Sequence, residues 1–216
     1  MMFKIGDSVK VKADVRCPDD DSVCIGGWQG RICAVEKDED IVGTRWDSIT
    51  LEQLPVDYIQ KSEEQGLDWT EMYLSADEIE AASPRDSETT ARKVREEMES
   101  KFFWLGQGKE GERIFMVIGN AEEGEEMEAW DIYLKQVLVF PFEAKVTEPQ
   151  DRGPLDYGEQ VQVQSIAEAD DPYGILVHVV RGKKRLVFPL CDLTPLDQKS
   201  PNYTPVRDYC VWFANR

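Results

Sequence analysis

Apolar and polar residues alternate over much of the first part of the chain. Val9, Val11 and Ala13 alternate with charged residues after a Gly-Asp turn, which is the period of a half-buried β-strand. A long polar loop, CPDDDSVCIGG, follows this strand. Three later segments are also predicted as strands: WQGRICAVE, DIVGTRWDSI and TLEQLP.

The order of these segments indicates an architecture for residues 1–57. The order of a Gly-Asp turn, a strand, a long loop, a Trp-x-Gly strand and a closing Leu-x-x-Leu-Pro resembles an SH3-like small barrel, Tudor-type barrels included. We therefore predict an SH3-like small barrel as the first domain.

Between residues 58 and 127 the pattern becomes mixed and predicts a connector of helices and strands. Positions 75–78 have the Ser-x-x-Glu pattern of a capping box, which predicts a helix start. Val94, Met98 and Phe102 recur four residues apart, as in an amphipathic helix packed on a core. After this helix, GQGKEGER is predicted as a hairpin turn and RIFMVIG as a buried strand.

Residues 128–216 have the pattern of a compact domain that begins and ends with a helix. Between the helices, YGEQVQVQSIAE alternates as a strand, and ILVHVVRGKKRLVFPL predicts a hairpin with a basic tip. In each predicted helix the apolar residues share one face: Trp130, Tyr133, Leu134 and Val137 in the first, and Val206, Tyr209, Cys210 and Phe213 in the last.

The tetrapeptide Leu-Val-Phe-Pro occurs twice in this domain, at 138–141 and at 186–189. Proline has no N–H to donate to a neighbouring strand, so it is found at the edges and ends of sheets. We predict that both copies are barrel-edge strands, and that Glu143, two positions after the first copy, faces solvent.

The two halves of the chain also resemble each other. The segment IGDSVKVKADV matches YGEQVQVQSIA, and TLEQLPVD matches PLCDLTPLD. This favours an internal duplication, although small barrels also converge on such patterns without common descent. The predicted fold class is α+β, mainly antiparallel β: two SH3-like small barrels joined by a helical segment, with flanking helices. The predicted domains are 1–57, 58–127 and 128–216.

Net charge narrows the range of functions. The 216 residues have a formal net charge of −18. Such a chain has no basic patch to displace counterions from nucleic acid, and an anionic membrane surface repels it. The longest apolar run, 137–142, is too short to span a bilayer. We therefore expect no nucleic acid and no membrane insertion, and we expect divalent cations or a protein partner with a basic surface.

Cysteine and histidine usage argues against zinc and against catalysis. The 5 cysteines are an odd number, which favours a reducing, cytoplasmic location. Cys17 and Cys24 are too widely spaced for a zinc knuckle. The one histidine, His178, lies within a predicted strand and is more typical of a sheet residue than of a catalytic base. Since no phosphate-binding loop, HExxH or GxSxG motif occurs, we predict that the protein is not an enzyme.

Calcium binding is chemically plausible, although not through an EF-hand. Calcium takes about six to eight oxygen ligands, which carboxylates and turn carbonyls supply. The segment from Asp38 to Gly43 resembles the start of an EF-hand loop, but Val42 and Ile49 stand where that loop needs oxygen ligands. Three other acidic clusters remain, each more typical of solvated surface when taken alone: 18–21, 122–126 and 168–171.

The C-terminal part resembles a known family. The segments EAWDIYLKQVLVFPFEAKV, LDYGEQVQVQSIAEADDPYGILVHV, KRLVFPLCDLTPLD and VRDYCVWF follow one another in the family's order. Together they are similar to the cyanobacterial acidic calcium-binding protein family over residues 128–216, and Phe-Pro-Phe-Glu-Ala is the most specific phrase. The acidic loop is shorter and less charged than is usual in the family, and Phe188 replaces a smaller aliphatic residue.

This resemblance implies calcium (Ca²⁺) binding through surface carboxylates, with a role in buffering or signalling. The ligands it implies are Glu168, Asp170 and Asp171 in the acidic loop, with Glu143 and Asp156 as supporting oxygens. Because carboxylates held close together repel one another, we expect modest affinity.

A second hypothesis assigns the chain a different class of function. A non-enzymatic SH3-like interaction module would use Trp28, Trp46 and Tyr58 to line a groove for a peptide or a basic protein surface. The same aromatic residues are also typical of a core, and the core interpretation is the favoured one.

Overall fold

The computed structural model of the protein describes residues 3–36, 40–122, 124–150, 153–170 and 172–216. The chain divides into two compact units, Met1–Gly111 and Glu112–Arg216. Each unit contains a five-stranded sheet, and the strand pairs in both sheets are antiparallel. The predicted α+β class is therefore confirmed, whereas closure of the sheets into barrels stays a prediction.

The strands of the first unit are β1 (Ser8–Val11), β2 (Arg16–Cys17), β3 (Asp20–Cys24), β4 (Gln29–Glu36), β5 (Ile41–Trp46), β6 (Glu71–Ser75) and β7 (Ile79–Ala81). The sheet has the order β6-β5-β4-β1-β7, and β2 pairs with β3 separately. Val9 and Val11 are buried on β1 with Lys10 exposed between them, as the alternation predicts.

The β2–β3 hairpin occupies the segment predicted as a long polar loop, so that prediction is wrong. One buried side chain and one ion pair explain why this segment is ordered. Cys17 is fully buried, and the Asp20 carboxylate lies 2.6 Å from the Lys61 ammonium group.

Helix α1 (Ser48–Glu52) stands where the TLEQLP pattern predicts a strand. Asp47 caps this helix, because its side chain accepts a hydrogen bond from the Thr50 N–H at 2.9 Å. Arg85 holds the same carboxylate with hydrogen bonds of 2.6 and 2.8 Å. An acceptor at the N-cap satisfies a donor at the helix start, and this favours a helix over the predicted strand.

A tight turn replaces the predicted helix start at residues 75–78. The Glu78 carboxylate accepts a hydrogen bond from the Ser75 N–H at 3.0 Å, as in a capping box. Here, however, the contact closes the turn from β6 to β7, and β7 pairs with β1. A Ser-x-x-Glu pattern can serve either structure because both satisfy a local backbone donor.

Two longer helices follow in the first unit: α2 (Val56–Gln65) and α3 (Glu88–Phe102). The predicted amphipathic stripe lies on α3, where Phe102 is buried and Val94 and Met98 are half-buried. A short 3-10 helix, Phe103–Gln107, continues from its end.

Helix α4 (Gly108–Ile118) covers the segment predicted as a hairpin turn and a buried strand, so both predictions are wrong. Ile114 and Ile118 are buried, whereas Met116 between them is 74% exposed. In a strand these three residues would share one face, but in a helix the middle one points away from the other two.

The second unit contains the helices α5 (Glu126–Val137) and α6 (Tyr203–Ala214) and the strands β8 (Phe142–Val146), β9 (Gln160–Asp170), β10 (Gly174–Arg181), β11 (Lys184–Pro189) and β12 (Leu193–Pro195). The sheet order is β11-β10-β9-β8-β12. The predicted first helix, the β10–β11 hairpin and the C-terminal helix are confirmed. Among the described residues, no helix is long and apolar enough to cross a membrane.

An ion pair with a buried carboxylate and a half-exposed arginine holds the last helix of this unit. Arg113 on α4 donates hydrogen bonds of 2.6 and 2.8 Å to the two carboxylate oxygens of Asp208 on α6. Asp208 is buried, and a buried carboxylate is costly without a partner. The second unit therefore depends on residues that precede the predicted boundary at 128.

The two Leu-Val-Phe-Pro segments differ in structure. The second lies in β11, an edge strand that ends at its proline, as predicted. The first, 138–141, lies before β8, so the strand prediction is wrong there. The Val139 N–H donates to Asn202 Oδ1 at 2.8 Å, and the Val139 carbonyl accepts from Asn202 Nδ2 at 2.8 Å, so Asn202 takes the place of a strand partner. Glu143 is exposed, as predicted.

The two sheets share one connectivity. In each, the first four strands of the sheet form a meander and the fifth pairs with the first. Val11 ends β1 and Val146 ends β8, and each exchanges backbone hydrogen bonds with a glycine and the residue after it, at 27–28 and 158–159. The structural equivalent of β1 is therefore β8, and the sequence match of β1 with β9 is wrong.

Candidate calcium site

The predicted acidic loop lies at the turn between β9 and β10. Glu168 pairs with Leu176 and Asp170 with Gly174. Because Glu168 and Asp170 are two residues apart on one strand, their side chains leave the same face of the sheet. Glu168 is exposed and Asp170 is half-exposed, whereas Asp171 lies outside the described residues.

A hydrogen bond within the turn orients Asp170. Its Oδ1 accepts from the Tyr173 N–H at 3.3 Å. A carboxylate offers about four lone-pair sites on two oxygens, so this contact is compatible with a bound cation.

Gly174 allows the hairpin to approach the C-terminal helix closely. Its φ is +73°, and a Cβ at this position would lie 2.3 Å from Tyr209 Oη and 2.7 Å from the Phe213 ring. Tyr209 Oη accepts a hydrogen bond from the Ile175 N–H at 2.6 Å, and burial raises the pKa of this phenol. Tyr209 therefore fixes the start of β10, directly beside the predicted ligands.

An aromatic cluster supports Tyr209 from the helices. The Trp130 ring on α5 lies 5.6 Å from Tyr209 and 5.8 Å from Trp212, measured between ring centroids. Tyr209 and Trp130 are both fully buried. The aromatic residues that carry the family resemblance therefore support the hairpin, and the acidic side chains lie at its end.

Glu143 and Asp156, the predicted supporting ligands, lie elsewhere on the sheet. Glu143 is on β8 opposite Gln162, whose Nε2 donates to Glu143 Oε1 at 2.8 Å. At roughly 3.3 Å per residue, Gln162 lies about 20 Å along β9 from Glu168. Asp156 is in the turn before β9, where its N–H donates to Glu159 Oε2 at 2.8 Å. The structure therefore does not bring these two carboxylates to the hairpin.

A further carboxylate beside β12 is absent from the sequence-based ligand set. Asp192 is half-buried and accepts hydrogen bonds from Gln150 Nε2 at 3.2 Å and from the Cys191 thiol at 3.4 Å. Burial raises the pKa of Asp192 above its usual value, and the nearby Glu148 raises it further. The available signal in the sequence was an acid placed between Cys191 and Leu193, since a charge within an apolar run is often half-buried.

The two other acidic clusters differ in their contacts. Asp20 accepts hydrogen bonds of 2.6 Å from Lys61 and from the Ser22 hydroxyl, and these lower the pKa of Asp20 to about 2. This carboxylate thus has a structural role in the first unit. In the second cluster Glu122 and Glu125 are exposed, and Glu123 lies outside the described residues.

No group of three or more His, Cys, Asp or Glu side chains that could hold a metal ion occurs within the described ranges. The hairpin offers two described carboxylates, Glu168 and Asp170. An ion at this turn would take its remaining oxygens from Asp171, backbone carbonyls and water, which are ordinary calcium ligands.

The aromatic residues of the alternative hypothesis form part of a core. Trp46 is fully buried, Tyr58 is 7% exposed, and Trp28 is half-buried. The Trp28 ring packs edge to face against Trp46 at 5.3 Å and Tyr58 at 5.6 Å between centroids. The favoured core interpretation is confirmed for Trp46 and Tyr58.

Comparison with known proteins relates the second unit to a family of calcium-binding proteins. Residues 112–213 match a family model described as "Calcium binding". The matched segment is similar to that family over slightly less than half of the chain. The predicted resemblance is therefore confirmed, with a start at 112 instead of 128.

Two solved structures are also similar to the chain. One is "The crystal structure of Anabaena CcbP", at 25% identity and a TM-score of 0.39, covering 62% of this chain and 95% of that one. The other is "Calcium binding protein in the calcium-binding form", at 22% identity and a TM-score of 0.37, covering 49% of this chain and 89% of that one. No curated protein matches the chain.

Proposed function

We propose that the protein is a non-EF-hand calcium-binding protein, with a buffering or regulatory role. The observation that carries this proposal is the match of residues 112–213 to a calcium-binding family. The net charge of −18 supports it, because a strongly acidic chain attracts divalent cations.

The proposed ligands are Glu168, Asp170 and Asp171 at the β9–β10 turn. Glu168 and Asp170 leave the same face of β9, and Asp171 is the next residue along the chain. Tyr209 and Gly174 support this position, since they fix the first residues of β10 against α6. A partly preformed turn reduces the ordering that calcium has to impose, whereas repulsion between neighbouring carboxylates keeps the affinity modest.

Glu143 and Asp156 stay predicted ligands, but of a different ion. Glu143 lies about 20 Å from the hairpin by the strand geometry, beyond the reach of a calcium–oxygen bond of about 2.3–2.6 Å. Calcium bound through either residue would add to the stoichiometry without changing the affinity at the turn.

Calorimetric titration of calcium into the full chain tests the ligand assignment. We expect E168Q and D170N each to weaken one class of sites by about tenfold or more, since each removes a charged oxygen ligand. E128Q is the matched control, because Glu128 is an exposed acid on α5. E143Q and D156N should leave this class of sites unchanged and alter only the number of additional ions.

The titration results distinguish an error in the proposed function from an error in the ligand assignment. Absence of calcium binding in the wild-type chain contradicts the proposed function. If E168Q, D170N and E128Q all bind calcium equally strongly, only the assignment to the hairpin is contradicted.

Three further expectations belong to this proposal. We propose that the protein acts without catalysis, as the assignment to a calcium-binding family supports. A cytoplasmic location is supported by the five free thiols. A protein partner with a basic surface is supported by the acidic charge of the chain. A pull-down that recovers the same partner with and without a calcium chelator would identify it.

A further inference from the structure

The first unit contains a cavity of about 650 Å³ whose lining is rich in arginine. Arg31, Arg45, Arg92 and Arg95 all line it, together with one carboxylate, Glu88. In a chain with 43 acidic and 25 basic residues, four guanidinium groups around one cavity are a local concentration of cationic side chains. Clefts lined by one sign of charge concentrate ions of the opposite sign.

Two of these arginines are fixed by acidic residues. Arg31 forms an ion pair with Asp86 at 2.6 Å and also donates to the Asp86 backbone carbonyl. Arg45 donates hydrogen bonds of 2.7 and 3.0 Å to the same oxygen of Glu71. These contacts hold two planar guanidinium groups in position at the cavity wall, and each guanidinium has further N–H groups to donate.

The positive charges of the other two arginines are less completely paired with carboxylates. Arg92 is 66% exposed at its side chain, and its ion pair with Glu96 is long, at 3.9 Å. Arg95 has a buried Nε that lacks a hydrogen-bond acceptor. Burial lowers the pKa of Arg95, and the neighbouring Arg45 lowers it further, whereas Glu99, Glu71 and Asp68 act in the opposite direction.

Two neighbouring features also favour an anion. Helix α3 begins at Glu88, and the cavity lining includes both Glu88 and Thr89 at this end. The first N–H groups of a helix point along its axis, out of its N-terminal end, and carry partial positive charge. Trp46, fully buried and also part of the lining, has an indole Nε1 without an acceptor.

We propose that this cavity binds a small organic or inorganic oxyanion, with Arg92 and Arg95 as its direct ligands. Guanidinium groups match phosphate and carboxylate oxygens in pairs, and a volume of about 650 Å³ is in the usual range for small-molecule sites. Arg31 and Arg45, whose charges are balanced by Asp86 and Glu71, donate their remaining N–H groups. The site is separate from the proposed calcium ligands, which belong to the second unit.

Titration of the full chain with three probes tests this proposal: inorganic phosphate, pyrophosphate and citrate. The protein is first depleted of calcium on a chelating resin, so that phosphate held by calcium does not contribute. We expect saturable binding of at least one probe with a dissociation constant below about 1 mM, weakening as salt is added. Pyrophosphate binding without citrate binding would identify a phosphate site, and the reverse would identify a carboxylate site.

Two substitutions locate the binding within the cavity. R92Q and R95Q should each weaken binding about tenfold or more, because each removes a charge-assisted contact. R16Q is the matched control, since Arg16 is an exposed arginine of the same unit that does not line the cavity. Arg92 is exposed enough for its substitution to leave the fold intact, which circular dichroism checks. The proposal is overturned if no probe binds, or if R92Q and R95Q bind as tightly as R16Q.

Discussion

A half-buried acid in the first unit and a buried acid in the second are each held by an arginine, and both pairs are absent from the sequence-based predictions. Asp86 pairs with Arg31 in the first unit, and Asp208 pairs with Arg113 in the second. The partners are separated by 55 and 95 residues, so no local pattern could have matched them. The residues whose burial could be predicted were instead those in a regular apolar pattern, such as Val9 and Val11 on β1.

Asp86 makes a pH-dependent contribution to stability. Burial alone would raise the pKa of Asp86, but hydrogen bonds from Ser48 and the ion pair with Arg31 lower it overall. A lowered pKa in the folded state means that the charged form stabilises the fold above the unfolded pKa, and that this stability is lost as pH falls through the lowered value. We expect D86N to cost about 1–3 kcal/mol at pH 7.

Urea unfolding measured from pH 7 down to about pH 2 checks this expectation. The difference between wild type and D86N should shrink over the acid range, because Asp86 becomes neutral in both states. D77N is the control, since Asp77 is exposed in the turn between β6 and β7. A D86N deficit that is constant across the whole range would contradict the assigned role of the charge.

At the scale of elements, the sequence predicted helices and strands correctly where the spacing of apolar residues fitted only one of the two. The alternation in β1 and β9 and the apolar faces of α5 and α6 identified those elements correctly. Short sequence patterns gave wrong predictions where two kinds of local structure can make the same hydrogen bond, as at 75–78 and in α1. The candidate site was predictable as an acidic loop, but the distance from Glu143 to that loop depends on strand register, which only the folded sheet defines.

The junction between α6 and the β9–β10 hairpin depends on one hydroxyl. Y209F removes the acceptor of the Ile175 N–H and leaves a buried donor unpaired, which costs about 1–3 kcal/mol. We expect exchange of the Ile175 amide hydrogen, followed by NMR, to accelerate about tenfold or more. Y203F, at the start of the same helix, is the control and should leave this amide unaffected. Unchanged protection of Ile175 in Y209F would show that the hydroxyl does not hold the hairpin.

At the scale of the whole molecule, the second unit begins earlier than the predicted domain. The predicted connector, 58–127, is shared between the two units, which divide after Gly111. Helix α4 begins at Gly108 and provides both Arg113 and the buried Ile114 and Ile118. A fragment that begins at 128 lacks all of these residues.

We therefore expect fragment 108–216 to unfold cooperatively and fragment 128–216 to be much less stable. The shorter fragment leaves the Asp208 carboxylate without Arg113, and it also loses the apolar face of α4. Thermal unfolding followed by circular dichroism compares the two fragments. D208N in the shorter fragment should recover part of the loss, because it removes the unpaired charge. Equal melting temperatures for the two fragments would contradict the boundary drawn here.

The shared register of the two sheets has an evolutionary consequence. A tandem duplication copies strand order and pairing together, whereas surface residues diverge quickly afterwards. The phrases Val-Lys-Val at 9–11 and Ala-Lys-Val at 144–146 occupy equivalent positions, and a left-handed glycine precedes the returning strand in both units. We infer that an ancestral gene for one sheet was doubled, and that the C-terminal copy kept the sequence pattern that matches the calcium-binding family.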